Sequence, residues 1–144
     1  MNGKGQQPVK GSGQGKPWEG IEFWKDKEKE ILHPDLLSEK AEMVAKHFRE
    51  KKLTSHQLRR YYGEFKRLER LYENSKDWNM VAPMVGFVKS KASYGARSKG
   101  NIPKDFADFI CWLVDKSADE KDFKQVCLFF EAVVGFMYGL GVVQ

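Results

Sequence analysis

The stretch Thr54-Ser-His-Gln-Leu-Arg-Arg-Tyr-Tyr-Gly-Glu-Phe-Lys-Arg-Leu-Glu-Arg-Leu-Tyr72 reads as one amphipathic helix. At 100° per residue, Leu58, Tyr61, Tyr62, Phe65, Leu68 and Tyr72 gather on one side, where they can bury against a core. Arg59, Arg60, Lys66, Arg67 and Arg70 gather on the other, with Glu64, Glu69 and Glu73 on the flanks. Solvated helix faces usually mix both signs, so a one-sign arc points to an anionic partner. Thr54-Ser-His-Gln57 has the spacing of a capping box, in which the Thr hydroxyl accepts from the amide three residues on and Gln57 reaches back. That fixes the start of the helix; its end falls near Asn74.

Working outward, the same period recurs. A first helix is expected from Pro34 to about Lys52, with Leu37, Ala41, Val44, Ala45 and Phe48 on its inner face. A third spans about Asp77 to Arg97, with Val81, Met84, Val85, Val88, Ala92 and Gly95 inward and Gly100 and Asn101 as its stop signal. Pro83 is tolerable only near its first turn. A fourth starts near Pro103 with Phe106, Phe109, Ile110 and Leu113 inward, and a fifth is capped by Asp119. Phe123, Val126, Cys127, Phe130, Val134 and Met137 form the apolar stripe of the fifth. No alternating strand pattern of any length and no repeat is visible. The fold class is therefore all-α, a compact bundle of about five helices over 34–144. Residues 1–20, rich in Gly, Gln and Lys, read as a flexible tail. Residues 21–33 read as an arm or linker whose aromatics either dock a partner or strap the protein's own core.

The chain has 144 residues, 41% of them hydrophobic, and a formal charge of +5. The charge is unevenly placed. Residues 53–100 carry 10 Lys/Arg against 4 Asp/Glu, whereas 101–144 carry 4 against 7. Cys111 and Cys127 sit among apolar residues, as small core side chains do in a reducing, cytoplasmic setting, and nothing in the pattern asks for a disulfide. The first residues lack the apolar run of a secretory signal. The most apolar segment, Val126–Val143, contains Glu131 and three glycines and suits a buried helix better than a membrane span.

Enzymatic chemistry is hard to build from these residues. Neither phosphate-cradling glycine motif occurs. His33, His47 and His56 have no second ligand type at metal spacing. Cys127 has no histidine near it in sequence, and Glu131 has no visible carboxylate partner. No catalytic residue, metal or cofactor is expected. Nucleic-acid binding is better supported. Arginine forks onto phosphates, and Arg59 to Arg70 spans roughly 16 Å of helix. Lys89, Lys91, Arg97 and Lys99 add cations at the end of the third helix, with Tyr94 as a group able to stack on a base or sugar. Nothing obvious reads base edges, so binding is expected to be backbone-directed and salt-sensitive.

Leu53-Thr-Ser-His-Gln-Leu-Arg59 resembles the Leu-Thr-x-x-Gln-Ile/Leu-Arg start of a basic helix in the small subunit of the type III-A CRISPR–Cas effector, the Csm complex. Lys91-Ala-Ser-Tyr-Gly-Ala-Arg97 is similar to that family's Lys-x-x-Tyr-x-x-Arg, and Phe129-Phe-Glu-Ala132 fits its closing helix. The resemblance covers roughly residues 36–140. It implies a non-catalytic subunit whose copies stack in a ribonucleoprotein filament beside other Csm subunits and help hold the crRNA–target RNA duplex. Arg59, Lys91, Tyr94 and Arg97 fall on motif positions. Arg60, Lys66, Arg67, Arg70, Lys89 and Lys99 rest on the helical-face argument instead. Two other classes remain open on residues alone: a DNA-binding helical regulator and a purely protein-interacting bundle.

Overall fold

The computed structural model describes residues 15–99 and 101–144. Most of the Gly-rich tail (residues 1–14) and the stop-signal residue Gly100 lie outside them. Among the described residues the fold is an all-α bundle of five helices. The first begins as a π-helical turn, Leu36–Lys40, and continues as α1 (Ala41–His47). Then follow α2 (Ser55–Ser75), α3 (Trp78–Arg97), α4 (Lys104–Lys116) and α5 (Glu120–Gly139). α5 packs against α1, α2 and α4, while α3 lies along α4 and touches α2. No charged or polar residue is buried among the described residues.

α2 starts where the capping box placed it. Thr54 accepts from the Gln57 amide at 3.1 Å, and Gln57 Oε1 accepts from the Thr54 amide at 3.0 Å. Leu58, Tyr61, Phe65 and Leu68 are buried, while Tyr62 and Tyr72 are half-buried at the margin. Each fully buried Leu or Phe contributes about 1.5–3 kcal/mol by leaving water. The stripe expected for α5 is buried in full, from Phe123 to Met137. Asp119 caps α5 by accepting from the Asp122 amide at 2.8 Å.

Four local expectations need correction. Met84, expected on the inner face of α3, is exposed, at the edge of the buried stripe of Val81, Val85 and Val88. The first helix does not run to Lys52: α1 ends at His47, and Glu50 and Lys52 both adopt left-handed φ. The chain turns because Phe48 and Leu53 must both return to the core, where they are 1% and 7% exposed. Pro34 stands in a turn ahead of the helix and is not its first residue; Leu36, which the helical spacing had passed over for Leu37, is buried. A short antiparallel hairpin, β1 (Trp24–Asp26) with β2 (Ile31–Leu32), occupies a segment where no strand pattern was visible. Its turn is made from the charge-dense run after Trp24, with Glu30 at φ 56°.

The segment before the bundle is a strap. Trp18, Ile21 and Phe23 are 1%, 3% and 5% exposed. Trp18 stacks on Phe48 at 5.7 Å and meets Phe109 at 5.2 Å, while Phe23 meets Phe129 at 5.4 Å. Polar contacts pin the strap at both ends. Lys16 Nζ reaches Asp105 Oδ1 at 2.9 Å, and Trp24 Nε1 donates to Asp122 Oδ1 at 2.8 Å. His47 Nε2 and Lys51 Nζ also face Asp105 Oδ2, at 2.9 and 3.4 Å. Partial burial would push the Asp105 carboxyl up, but these partners outweigh it and hold it at about 2.

Candidate nucleic-acid interface

α2 and the last turns of α3 enclose an open groove of about 620 Å³. Arg60, Tyr61 and Glu64 line it from α2; Lys91, Tyr94 and Lys99 line it from α3 and the residues just after. The helices approach closely at Gly95, where a Cβ would collide with the Tyr61 hydroxyl. That hydroxyl donates to the Lys91 carbonyl at 3.3 Å, while the Tyr61 ring rests edge-on against Phe106. The groove floor is thus a core residue whose polar tip reaches the surface.

The ten cationic and aromatic positions do not form one site. Arg60, Lys91, Tyr94 and Lys99 share the groove. Arg59 and Arg70 are exposed along α2, and Arg97 is exposed at the end of α3. These three and Lys99 make no ion pair among the described residues. Arg67 is diverted: its Nε donates to Glu64 Oε1 at 3.0 Å, and the Lys91 ammonium contacts the other oxygen of the same carboxylate. The hydrogen bond from Arg67 outweighs partial burial and, together with Lys91, holds the Glu64 carboxyl below its usual range. Glu64, placed on the flank by the helical wheel, therefore reaches into the cationic arc.

Lys66 and Lys89 face other neighbours. Lys66 Nζ sits 2.9 Å from Glu69 and 3.6 Å from Glu131, on the α5 side. Lys89 Nζ sits 2.8 Å from Asp115 on α4. Pairs this exposed contribute about 0–1 kcal/mol, so either lysine can exchange its partner for a phosphate at little cost.

Sequence reasoning passed over two features of this surface. Gly63 lies four residues from both Arg59 and Arg67, on the same face, and a Cβ there would meet nothing within 4 Å. Phe87 is 60% exposed, and the Lys91 ammonium lies 5.4 Å from its ring centroid. The usable signal was an aromatic residue off the apolar stripe of its helix.

No group of three or more His, Cys, Asp or Glu is placed to hold a metal ion among the described residues. Burial pushes the Cys127 thiol well above its ordinary range, and its Sγ lies against the Phe65 carbonyl. The Glu131 side chain is 54% exposed, an ordinary solvated position. No helix among the described residues is long and apolar enough to cross a membrane.

Fold and groove together define a small all-α bundle with a cationic, aromatic-edged surface. The chain belongs to the family Csm2 Type III-A, whose model matches residues 32–138, the family of the small subunit of the type III-A Csm complex. No curated protein and no solved structure matches the chain. The matched range takes in all five helices but not Trp18 to Phe23, so the buried strap lies outside it.

Proposed function

We propose that this subunit is non-catalytic and holds the crRNA–target RNA duplex against the outer face of α2 and the α2–α3 groove, with copies stacking in a filament beside other Csm subunits. One observation carries this reading: Arg59 and Arg70 on α2 and Arg97 and Lys99 at the end of α3 are exposed cations without an ion pair among the described residues, and Lys99 lines the groove. Uncommitted cations spaced along a helix suit successive phosphates, because each phosphate engaged releases condensed counterions. Arg60 and Lys91 add charge inside the groove. Lys66, Arg67, Lys89 and Lys91 itself are reserve cations that must first give up a carboxylate.

The mode is backbone-directed. Arginine and lysine contacts to phosphate position an RNA without reading its bases. A DNA-reading helix would need side chains matched to base edges, and Gln57 at the start of α2 is tied into the capping box instead. The test is charge reversal, Arg59→Glu with Arg70→Glu, in the assembled complex. Target-RNA affinity should fall at least tenfold, and the dependence on salt should flatten by about two phosphate contacts. Assembly and target binding that both survive at moderate salt would refute the reading.

A further inference from the structure

On the reading that RNA lies along the basic face, we infer that Phe87 and Tyr94 form a stacking platform for unpaired RNA bases at the edge of that duplex. The two rings stand seven residues apart on α3, which places them on one face about 10 Å apart along the axis. They are 60% and 76% exposed, the two most exposed large apolar or aromatic side chains among the described residues. Lys91 lies between them, with its ammonium near the Phe87 ring. Arg60 and Lys99 line the groove beside Tyr94, and Arg97 is exposed one turn further on.

Alternation of aromatic rings with cations is how single-stranded nucleic acid is held: rings take base faces, cations follow the backbone. A continuous A-form duplex cannot use such rings, because its bases are already stacked inside. The spacing argues the same way. Stacked bases rise about 3.4 Å per step, so attachment points about 10 Å apart along the helix serve two separate bases and not neighbours in one stack. The platform therefore selects a position where pairing is interrupted or ends.

Met80 and Met84 continue the stripe below Phe87 and are also exposed. A protein partner would use the Met80-to-Phe87 end and be indifferent to Tyr94 and the cations. RNA requires the Phe87-to-Tyr94 end, which is where Lys91, Arg97 and Lys99 lie. Charge complementarity thus favours RNA as the occupant.

The experiment uses the full chain and three RNAs: a blunt duplex, the same duplex with an unpaired overhang, and the overhang strand alone. Wild type should bind the overhang duplex about tenfold tighter than the blunt one. Phe87→Ala and Tyr94→Ala should each reduce that advantage, and the double variant should abolish it. Phe87→Trp should preserve it, and Met80→Gln with Met84→Gln should leave it intact. All these positions are exposed, so folding is not at issue. Equal wild-type affinity for blunt and overhang duplexes overturns the platform but leaves the basic-face reading standing. So does an overhang preference that survives the double variant. Absence of binding to any of the three RNAs at low salt defeats both. An overhang preference removed by the methionine variants, with loss of self-association, reassigns the stripe to a second copy of the chain.

Discussion

The Tyr61 hydroxyl stands over Gly95 and donates to the carbonyl of Lys91, so one contact sets both the spacing of α2 from α3 and the depth of the groove. Gly95→Ala should therefore destabilise the protein by about 1–3 kcal/mol, the usual cost of overpacking. Tyr61→Phe removes the colliding oxygen and should recover part of that loss in the double variant. Thermal or urea denaturation of the four proteins in the cycle measures the coupling. Strictly additive effects would show that the helices do not meet at this point.

On the proposed reading, Glu64 restrains the RNA-binding face. It holds both Arg67 and Lys91, and these are the cations nearest the groove that are already committed. Glu64→Gln should free them, raise RNA affinity several-fold and steepen the salt dependence by one to two phosphate contacts, about 0.9 per contact on a logarithmic scale. Filter binding across a salt series reads both. An unchanged slope would mean that neither cation faces the RNA.

On the same reading, Gly63 sets stability against RNA binding. A glycine in the interior of an exposed helix costs about 0.5–1 kcal/mol relative to alanine, and here a methyl group has open space. Gly63→Ala should stabilise the fold by about that amount. It should also weaken RNA binding, because the methyl stands between Arg59 and Arg67, where a phosphate backbone would make its closest approach. A more stable variant with undiminished affinity would show that the glycine serves no ligand.

Asp105 makes the strap pH-sensitive. Its carboxyl is held at about 2, below its ordinary 3.8, so the contribution to stability is present above pH 4 and lost as pH falls towards 2. Asp105→Asn should cost on the order of 1–2 kcal/mol at neutral pH and flatten the acid limb of the stability profile. Trp18→Ala, at the same junction, should cost about 3–5 kcal/mol, since a fully buried ring is removed. A Trp18→Ala protein as stable as wild type would contradict the strap.

How much of this was legible in the sequence follows from the range of the forces involved. The starts of α2 and α5 were readable because caps are local: Thr54 with Gln57, and Asp119 with Asp122, are set by residues three apart. The apolar stripes were readable because burial follows the helical period. The end of α1 was not, since Glu50 and Lys52 take left-handed φ under a tertiary demand, the burial of Phe48 and Leu53. The hairpin was not, since strands of three and two residues are too short to show an alternating pattern; the strap stayed one of two open readings, since its partners Asp105, Asp122 and Phe109 lie some 90 residues away. In the interface, helical spacing found the cations but not their commitments. Whether Lys66 meets Glu131, or Lys89 meets Asp115, depends on which helix lies alongside.

Lys16 meets Asp105 and Trp24 meets Asp122, separations of 89 and 98 residues. A ribosome delivers the strap well before Asp105 and Asp122. At about 5–20 residues per second, the wait is on the order of 5–20 s. Through that interval the seat of Trp18 and Phe23 is incomplete: Phe48 is present early, while Phe109 and Phe129 are still to come. The strap is thus the part of the fold that can close only after α4 and α5 have been made.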